Sequence, residues 1–468
     1  MKEGSRRVWP FVLVGGLALV AYLSTLVEIT TGDLRPKGES ADVYGLRFRD
    51  DTNVLFVLID TLRADRLGAY GYDRETSPTL DYLASTGVRF ARHLSQSSWT
   101  KCSMASLWTS LYPVRSGVTR FDHALPEAAR LPAEVFREAG FTTAGIWRNG
   151  WVAANFGFDQ GFEVYERPRP RPVPPEVRRD NPHVQLQGTD LDVVENAIEF
   201  LRIHGRDRWF LYLHLMDVHQ YVYDEASAAF GASYSDVYDN SILFTDTNLG
   251  RLLTHLADTG LLEKTLVVVT SDHGEAFSER GYEGHARMVD RETTEIPLIL
   301  DFPFKLDPGV TVDVRSRNVD VWPTVLDLLG LPALDDSDGR SLVPEILAAV
   351  SGEAPPADET LAFSFLDRTW GQAQKEVQPV VAVVEGPYRF VYGVDGPERT
   401  TEQLFDASED RLERRNVIAE HPDVADALRE EARAHLEDPA DAPWGGGPVS
   451  VELDAMELNQ LRALGYEL

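Results

Sequence analysis

Four polar residues of this sequence have the types and placement to hold a divalent cation beside a nucleophile. Asp60 follows one apolar segment, Asp272 and His273 follow another, and Thr100 lies in a polar stretch between them. Each residue alone is also compatible with a turn or a helix cap. Together, two carboxylates and an imidazole form a donor set for a divalent cation, which would lower the pKa of a hydroxyl and neutralise an anionic ester oxygen. Further imidazoles are available at His214, His219 and His285.

The segments before these residues have the character of strands that are buried on both faces of a parallel sheet. They are Asn53–Ile59, Trp209–Leu215 and Thr265–Thr270, which are continuous apolar runs. Alternating strands and helices predict an α/β sheet with helices on both faces, and ligands bind at the carboxyl ends of its strands. The sequence therefore predicts a site at that edge of the sheet. Amphipathic helical patterns occur at Ser77–Ser85, Leu131–Glu138, Leu191–Ile203 and Ile242–Leu256.

Beyond the predicted catalytic domain, residues 51–345, the pattern changes to that of a small C-terminal α+β subdomain, residues 346–468. The apolar segments Val380–Val384 and Tyr388–Tyr392 flank a Glu-Gly-Pro turn and predict a β-hairpin. A charged helix is predicted over Pro422–Glu437.

The N-terminus, residues 1–29, predicts a transmembrane anchor or a signal segment. Residues 9–27 carry no charge and follow Lys2, Arg6 and Arg7. As a helix this run is about 28 Å long, close to the hydrocarbon thickness of a bilayer. The basic flank predicts a cytoplasmic N-terminus and an extracytoplasmic (periplasmic or extracellular) catalytic domain, joined by a polar tether over residues 30–50. A cleaved signal peptide and a buried core helix are the alternatives.

The composition excludes several classes of protein. With 45 basic and 75 acidic residues the formal net charge is −30, which disfavours binding to a nucleic-acid backbone. A single cysteine, Cys102, excludes a disulfide scaffold and a cysteine-based zinc cluster. A hydrophobic content of 43% excludes global disorder. An anionic substrate would need cations concentrated at one place.

The chain contains a set of ordered motifs in seven segments: Asn53–Tyr72, Ser98–Gly117, His214–His219, Ser271–Glu275, Asn318–Pro332, Asp338–Leu342 and Leu461–Tyr466. These motifs resemble those of the sulfatases in the alkaline phosphatase superfamily. The resemblance implies an alkaline-phosphatase-like sandwich: a large mixed, mostly parallel sheet flanked by helices, with a small C-terminal subdomain. It also implies a metal-dependent ester hydrolase.

The nucleophile segment departs from the family pattern. Sulfatases carry a Cys or Ser, oxidised to formylglycine, at the start of C/S-x-P-x-R. Here Thr100 holds that position, Cys102 replaces the Pro and Met104 replaces the Arg. We interpret Cys102 as a small packing residue. A threonine nucleophile is typical of the phosphate-processing branches of the superfamily, so its chemistry favours phosphate esters, while sulfate esters stay open.

The resemblance also implies roles for individual residues. It assigns Asp60, Thr100, Asp272 and His273 as ligands of a divalent metal ion, which could be Mn, Zn, Ca or Mg. The imidazole shifts the preference from calcium toward manganese or zinc. The implied catalytic residues are Thr100 as nucleophile, His219, His285 as general acid, and Arg148 as a substrate-binding cation. His214 and Asp217 fit structural support or a second metal equally well.

The sequence thus predicts an extracytoplasmic metal-dependent hydrolase whose substrate is a sulfated or phosphorylated glycan, lipid or small molecule. Two alternatives are a membrane-anchored transferase of phosphoryl-linked head groups to lipid or glycan, and a non-catalytic binding protein of the same fold. The presence of the acidic pair, Thr100, His273 and His219 argues against the second alternative.

Overall fold

The fold is described from a computed structural model, which covers residues 33–169, 188–356, 360–372, 374–394, 400–437, 439–453 and 458–459. Two compact units are distinguished, Met1–Pro36 and Lys37–Leu468. The described part of the first unit is short and contains an ion pair between Arg35 and Asp33. All elements below belong to the second unit.

Within the described residues, the second unit is built on a nine-stranded, mostly parallel sheet. The parallel strands β1, β4, β5, β6 and β7 pair in the order β7-β1-β6-β4-β5, and β11 joins antiparallel to β7. Beyond β11, β2 pairs with β10 and β11 antiparallel and with β12 in parallel. The strands are β1 (Asn53–Ile59), β2 (Val88–Leu94), β4 (Thr142–Trp147), β5 (Val164–Glu166), β6 (Trp209–Leu215), β7 (Thr265–Thr270), β10 (Glu295–Ile296), β11 (Leu298–Asp301) and β12 (Val310–Arg317).

Helices cover both faces of this sheet, and every residue of β1 is buried as a result. Phe56 faces α3 and α9, where its ring centroid lies 5.9 Å from Trp108 and 4.8 Å from Trp322. Leu55 and Val57 face the opposite way, into a second apolar cluster with α2, α6 and α7. The helices are α1 (Ser40–Gly45), α2 (Pro78–Thr86), α3 (Thr100–Thr109), α4 (Pro113–Ser116), α5 (Pro132–Glu138), α6 (Asp190–His204), α7 (Tyr234–Asp258), α8 (Arg291–Thr294), α9 (Asn318–Leu328), α10 (Val343–Ser351) and α11 (Pro422–Glu437).

The C-terminal part forms a four-stranded antiparallel sheet in the order β13-β14-β15-β16. Glu385 pairs with Tyr388, so Gly386 and Pro387 form the turn of the predicted hairpin. Helix α11 packs on this sheet through Ala425, Leu428 and Ala432. The strands are β13 (Ala362–Asp367), β14 (Pro379–Glu385), β15 (Tyr388–Val394) and β16 (Thr400–Asp406); two further pairs join β3 (His123–Ala124) to β17 (Val449–Ser450) and β8 (Ala276–Phe277) to β9 (Glu283–Gly284).

This architecture confirms the predicted fold: a mostly parallel sheet between helices and a small α+β subdomain. The predicted strands at 53–59, 209–215 and 265–270 have the observed bounds. The predicted tether differs, because α1 and a following helical turn form within it, with Val43 and Leu46 buried in the core. The predicted division at residue 345 falls inside one compact unit and stays a prediction.

The predicted membrane segment lies outside the described residues. Among the residues that the structure describes, no helix has the length and apolar character needed to cross a bilayer.

Candidate active site

Five parallel strands end at the same edge of the main sheet and bring most of the predicted site residues there. Asp60 directly follows β1, and Asp272 and His273 follow β7 after one residue. Thr100 is the first residue of α3, the helix that comes after β2, and His219 follows β6. All five side chains are buried. The topology thus assembles side chains that are up to 213 positions apart in the chain, from Asp60 to His273.

Asp60, Asp272 and His273 form a group whose donor atoms lie within 4.8 Å of one another. Asp272 Oδ1 accepts hydrogen bonds from the backbone N–H groups of Thr61 (3.2 Å) and His273 (2.9 Å). Asp60 Oδ2 accepts from His214 Nε2 at 3.0 Å. One oxygen of each carboxylate is therefore held by protein donors, which orients the other.

The remaining oxygens, Asp60 Oδ1 and Asp272 Oδ2, are buried and accept no hydrogen bond from the residues that the structure describes. Burial and the charge of Asp60 raise the pKa of the Asp272 carboxyl. Burial also disfavours ionisation of Asp60, but the histidines around it, His219 and His214, hold its pKa well below its usual value. Two buried carboxylates this close need a proton or a cation between them.

The chemistry of the group fits a divalent cation. His273 Nδ1 lies 3.0 Å from the carbonyl oxygen of Gly274, and donation there leaves Nε2 as the nitrogen with a lone pair. Nε2 lies 3.3 Å from Asp272 Oδ2 and 3.2 Å from Thr100 Oγ1. Two orphaned carboxylate oxygens, an imidazole nitrogen and a hydroxyl are a mixed oxygen and nitrogen donor set of the kind that holds manganese or zinc.

Thr100 lies at the N-terminus of the ten-residue helix α3, where the helix dipole favours negative charge. Its Oγ1 is 3.4 Å from Asn149 Nδ2 in addition to its contact with His273. Two residues on, Cys102 is buried in the main apolar core, and burial raises the pKa of its thiol to about 12. A thiol with that pKa is protonated at neutral pH and unreactive, as the packing interpretation requires.

His219 and His285 lie beside this group. The ring of His285 is 4.5 Å from the ring of His273 and 5.0 Å from that of His219, measured between centroids. Burial lowers the pKa of His219 to about 4. Burial acts in the same direction on His285, but the carboxylate of Glu275, with its oxygens 3.2 and 3.3 Å from Nδ1, raises the pKa of that imidazole. The two histidines therefore have opposite tendencies to carry a proton.

Arg148 is buried among acidic partners in the structure. Its fully buried guanidinium pairs with Asp190 at 2.7 Å and with Asp217, and it donates to the carbonyl of Gly188 and to Gln220. The assignment of Arg148 to substrate binding stays a prediction, and it would require these ion pairs to be given up. Asp217 also accepts from the backbone N–H of Asp190 at 2.7 Å, a contact that fits structural support.

Three residues that the sequence analysis left out also touch the site. Asn149 donates to Asp60 Oδ2 at 2.6 Å, and Glu275 contacts His285. Tyr212 OH lies 2.8 Å from His214 Nδ1, so His214 bridges this tyrosine and Asp60. Glu275 is two residues beyond His273, after the predicted strand at 265–270, so position after a predicted strand is the signal that could have found it. Asn149 follows β4, which the sequence analysis did not predict.

Three tryptophans pack against one another next to the start of α3, where Thr100 lies. Trp99 stacks on Trp370 with ring centroids 4.3 Å apart, and Trp151 contacts Trp99 edge-on at 5.4 Å. Trp370 also donates from Nε1 to the carbonyl of Ala286, the residue after His285. A side chain from the segment after β13 thus contacts both the start of helix α3 and the loop that carries His285.

Comparison with known proteins identifies the family of the chain. The sulfatase family model matches residues 52–331, more than half of the chain, and the model for the C-terminal region of N-sulphoglucosamine sulphohydrolase matches residues 279–438. The chain belongs to the sulfatase family. It is an ester hydrolase of that family, as the sequence predicts.

This sulfatase is 25% identical over 407 residues to an ulvan-active sulfatase from Formosa agariphila, with 78% of this chain and 77% of that protein covered. Two solved structures share the fold. A 2-O GAG sulfatase superimposes with a TM-score of 0.68 at 18% identity, covering 86% of this chain and 98% of its own. A phosphonate monoester hydrolase from Agrobacterium radiobacter gives 0.63 at 19% identity, covering 86% and 100%.

Proposed function

We propose that this sulfatase is an extracytoplasmic, metal-dependent hydrolase of sulfate or phosphate esters that uses Thr100 as its nucleophile. The observation that carries the proposal is the position of Thr100 Oγ1, which lies at a helix N-terminus and 3.2 Å from His273 in the Asp60–Asp272–His273 group. The positive end of the helix dipole favours the deprotonated form of a hydroxyl at that position.

Asp60, Asp272, His273 and Thr100 would hold the cation, whose charge would stabilise the ionised nucleophile and an ester oxygen. Thr100 Oγ gives up its proton to solvent and attacks sulfur or phosphorus in line, and the bond to the leaving oxygen breaks. His285, held through Nδ1 by Glu275, presents its other ring nitrogen to the leaving oxygen and protonates it. Water then attacks the sulfur or phosphorus of the intermediate, so that the inorganic anion leaves and Thr100 Oγ regains a proton. His219 is close enough to His285 to share in the proton transfers.

The charges around Thr100 favour esters that carry one negative charge. Two carboxylates balance one divalent cation, and the guanidinium of Arg148 is neutralised by Asp190 and Asp217. Sulfate monoesters, phosphonate monoesters and phosphodiesters carry one charge, whereas phosphate monoesters carry nearly two at neutral pH. We therefore expect turnover of the first three classes to exceed that of the last.

A glycan is the substrate that the relatives support. One is named for activity on ulvan, and one solved neighbour is described as a GAG sulfatase. The predicted segment at residues 9–27 would hold the enzyme at a membrane with the site on the extracytoplasmic side.

The test is an assay of the full chain in detergent on 4-nitrophenyl sulfate, 4-nitrophenyl phosphate and bis(4-nitrophenyl) phosphate, after chelation and after metal add-back. Thr100→Ala should abolish turnover of the preferred ester and leave thermal stability nearly unchanged. Thr109→Ala is the matched control, since Thr109 is a buried threonine at the other end of α3 whose hydroxyl bonds backbone groups only, the carbonyl of Ala105 and the N–H of Leu111.

Two outcomes would contradict the proposal. Near-normal activity of Thr100→Ala would exclude Thr100 as the nucleophile, and full activity after exhaustive chelation would exclude the metal requirement. Product analysis distinguishes hydrolysis from the transferase alternative. Free alcohol and inorganic anion indicate hydrolysis, whereas a new diester would indicate transfer.

A further inference from the structure

Asn149 is a buried amide next to the nucleophile with a fixed orientation. It follows β4 by one residue and is fully buried. Its Oδ1 accepts a hydrogen bond from the backbone N–H of Trp151 at 2.9 Å, which caps the short helical turn Gly150–Val152. Because a backbone N–H can only donate, this contact identifies Oδ1 and places the NH₂ group on the opposite side.

The NH₂ group of Asn149 reaches two oxygens of the candidate site. Nδ2 lies 2.6 Å from Asp60 Oδ2 and 3.4 Å from Thr100 Oγ1. An amide nitrogen carries two hydrogens, so both contacts can be made at once. The longer contact is to the reacting oxygen, and catalytic hydrogen bonds are often long in structures without substrate and shorten during the reaction.

We propose that Asn149 is a catalytic residue, the neutral hydrogen-bond donor to Thr100 Oγ and to the sulfuryl or phosphoryl group that becomes attached to it. The inference rests on Thr100 as the nucleophile. As the bond from Thr100 Oγ forms and the bond to the leaving oxygen breaks, negative charge moves over the oxygens around the central atom. An amide N–H aimed at that position stabilises the charge and keeps its own proton throughout.

The neighbouring residues explain why an amide fills this role. Arg148 directly precedes Asn149, but its guanidinium points away into the pairs with Asp190 and Asp217. Residue 104 on α3 is a methionine, buried in the apolar core and unable to donate a hydrogen bond. Asn149 is the amide that contacts both the predicted nucleophile and a predicted metal ligand among the described residues.

A purely structural role for Asn149 is distinguishable from this one. Capping of the turn uses Oδ1, whereas the proposed chemistry uses Nδ2. Asn240 is a matched control, because it is equally buried, accepts from Phe230 N at 3.0 Å and donates to Gly231 O at 3.0 Å, away from the site. Replacing either asparagine removes its hydrogen bonds to the backbone, but of these two residues Asn149 alone contacts Thr100.

The experiment compares Asn149→Ala, Asn149→Asp and Asn240→Ala in the full chain, using the ester that the parent enzyme hydrolyses best. For Asn149→Ala we expect kcat to fall roughly 100- to 1,000-fold with KM changed only a few-fold, as for the loss of one donor to a developing oxyanion. Asn149→Asp keeps the cap but replaces the N–H donor by an oxygen, so kcat should fall at least as far. Asn240→Ala should keep kcat within about threefold at a similar loss of Tm.

The proposal is overturned if kcat of Asn149→Ala stays within about threefold of the parent, or if the loss is confined to KM. Should Asn149→Ala fail to fold, Asn149→Asp decides, because retention of kcat in that capped variant also overturns it. The outcome is separable from that for the nucleophile. An inactive Thr100→Ala beside a normal Asn149→Ala rejects only this inference, whereas an active Thr100→Ala rejects the nucleophile itself.

Discussion

Replacing Arg148 by Met tests whether its charge binds substrate or holds the fold. The guanidinium is fully buried and paired with Asp190 and Asp217, which are buried as well. Removing one partner of a buried ion pair typically costs about 3–5 kcal/mol, because the remaining charge is left uncompensated. Arg148→Met should therefore destabilise the protein by about that amount without directly removing a contact of Thr100.

The expected shift in melting temperature follows from the size of the chain. Unfolding entropy is about 2.1 cal/mol/K per residue, so 468 residues give about 1 kcal/mol/K. A loss of about 3–5 kcal/mol then lowers the Tm by about 3–5 °C. Differential scanning fluorimetry would measure this shift, beside kcat and KM determined well below the transition.

The loss of stability in Arg148→Met should also depend on pH. Burial raises the pKa of Asp217 to about 7 even though Arg148 opposes that shift. Without Arg148 the folded-state pKa of Asp217 rises further. The folded variant then favours the protonated carboxyl, and it continues to lose stability as the pH rises above about 7 until the pH passes this higher pKa. The difference in Tm between parent and variant should therefore widen above about pH 7.

Arg130→Met is the matched control, because Arg130 pairs with Glu138 on the surface, where a salt bridge contributes little. Its Tm should change by less than about 1 °C. The reasoning would be refuted if Arg148→Met kept the parental Tm and raised only KM for the ester. In that case Arg148 would contact substrate as its sequence position suggests.

Three further predictions concern single side chains. After chelation, Asp272→Asn should have the same Tm as the parent. Added Mn²⁺ or Zn²⁺ should raise the Tm of the parent but not that of the variant. An equal rise in both proteins would exclude Asp272 as a metal ligand. His285→Ala should reduce kcat at least tenfold more for an alkyl ester than for a 4-nitrophenyl ester, because only a poor leaving group needs protonation; equal losses would contradict a general-acid role. Burial lowers the pKa of His93 to about 4. The folded state therefore favours the neutral ring, and this contribution to stability is fully present above the pKa of the unfolded chain, about 6.5. About 3 kcal/mol of the free energy of unfolding is lost as the pH falls from about 6.5 to about 4. Between pH 7 and pH 4 the free energy of unfolding, measured by urea denaturation, should fall by about 3 kcal/mol less in His93→Gln than in the parent. Equal falls in the two proteins would contradict the lowered pKa of His93.

The parts of the fold that the sequence predicts are those determined by local pattern. Strands β1, β6 and β7 are continuous apolar runs because both of their faces are covered, and their ends place Asp60, Asp272 and His273 at one edge. Since parallel strands share their direction, the site follows from the order of the elements alone.

Partners that lie far away in the chain are not visible in such patterns. Arg148 precedes its two carboxylates by 42 and 69 positions, and no spacing indicates that it turns toward them instead of the substrate. Residues 30–50 were expected to form a polar tether, but Val43 and Leu46 pack in the apolar core against residues from elsewhere in the chain. The capping contact that orients Asn149 likewise appears only when the backbone of Trp151 is placed.

The stacked pair of Trp99 and Trp370 has an optical consequence. Indole rings with centroids 4.3 Å apart and nearly parallel planes couple their electronic transitions. Such coupling gives a paired positive and negative band in circular dichroism, separate from the signal of the helices and strands. Trp108 and Trp322 also stack, with centroids 5.0 Å apart, so the contribution of the Trp99–Trp370 pair is the part of this band that a Trp370→Phe variant loses. Because Trp99 precedes Thr100 and Trp370 is hydrogen-bonded to the residue after His285, that part reports whether helix α3 and the loop of His285 are correctly docked. It can be followed in every inactive variant named above, with no substrate and no added label.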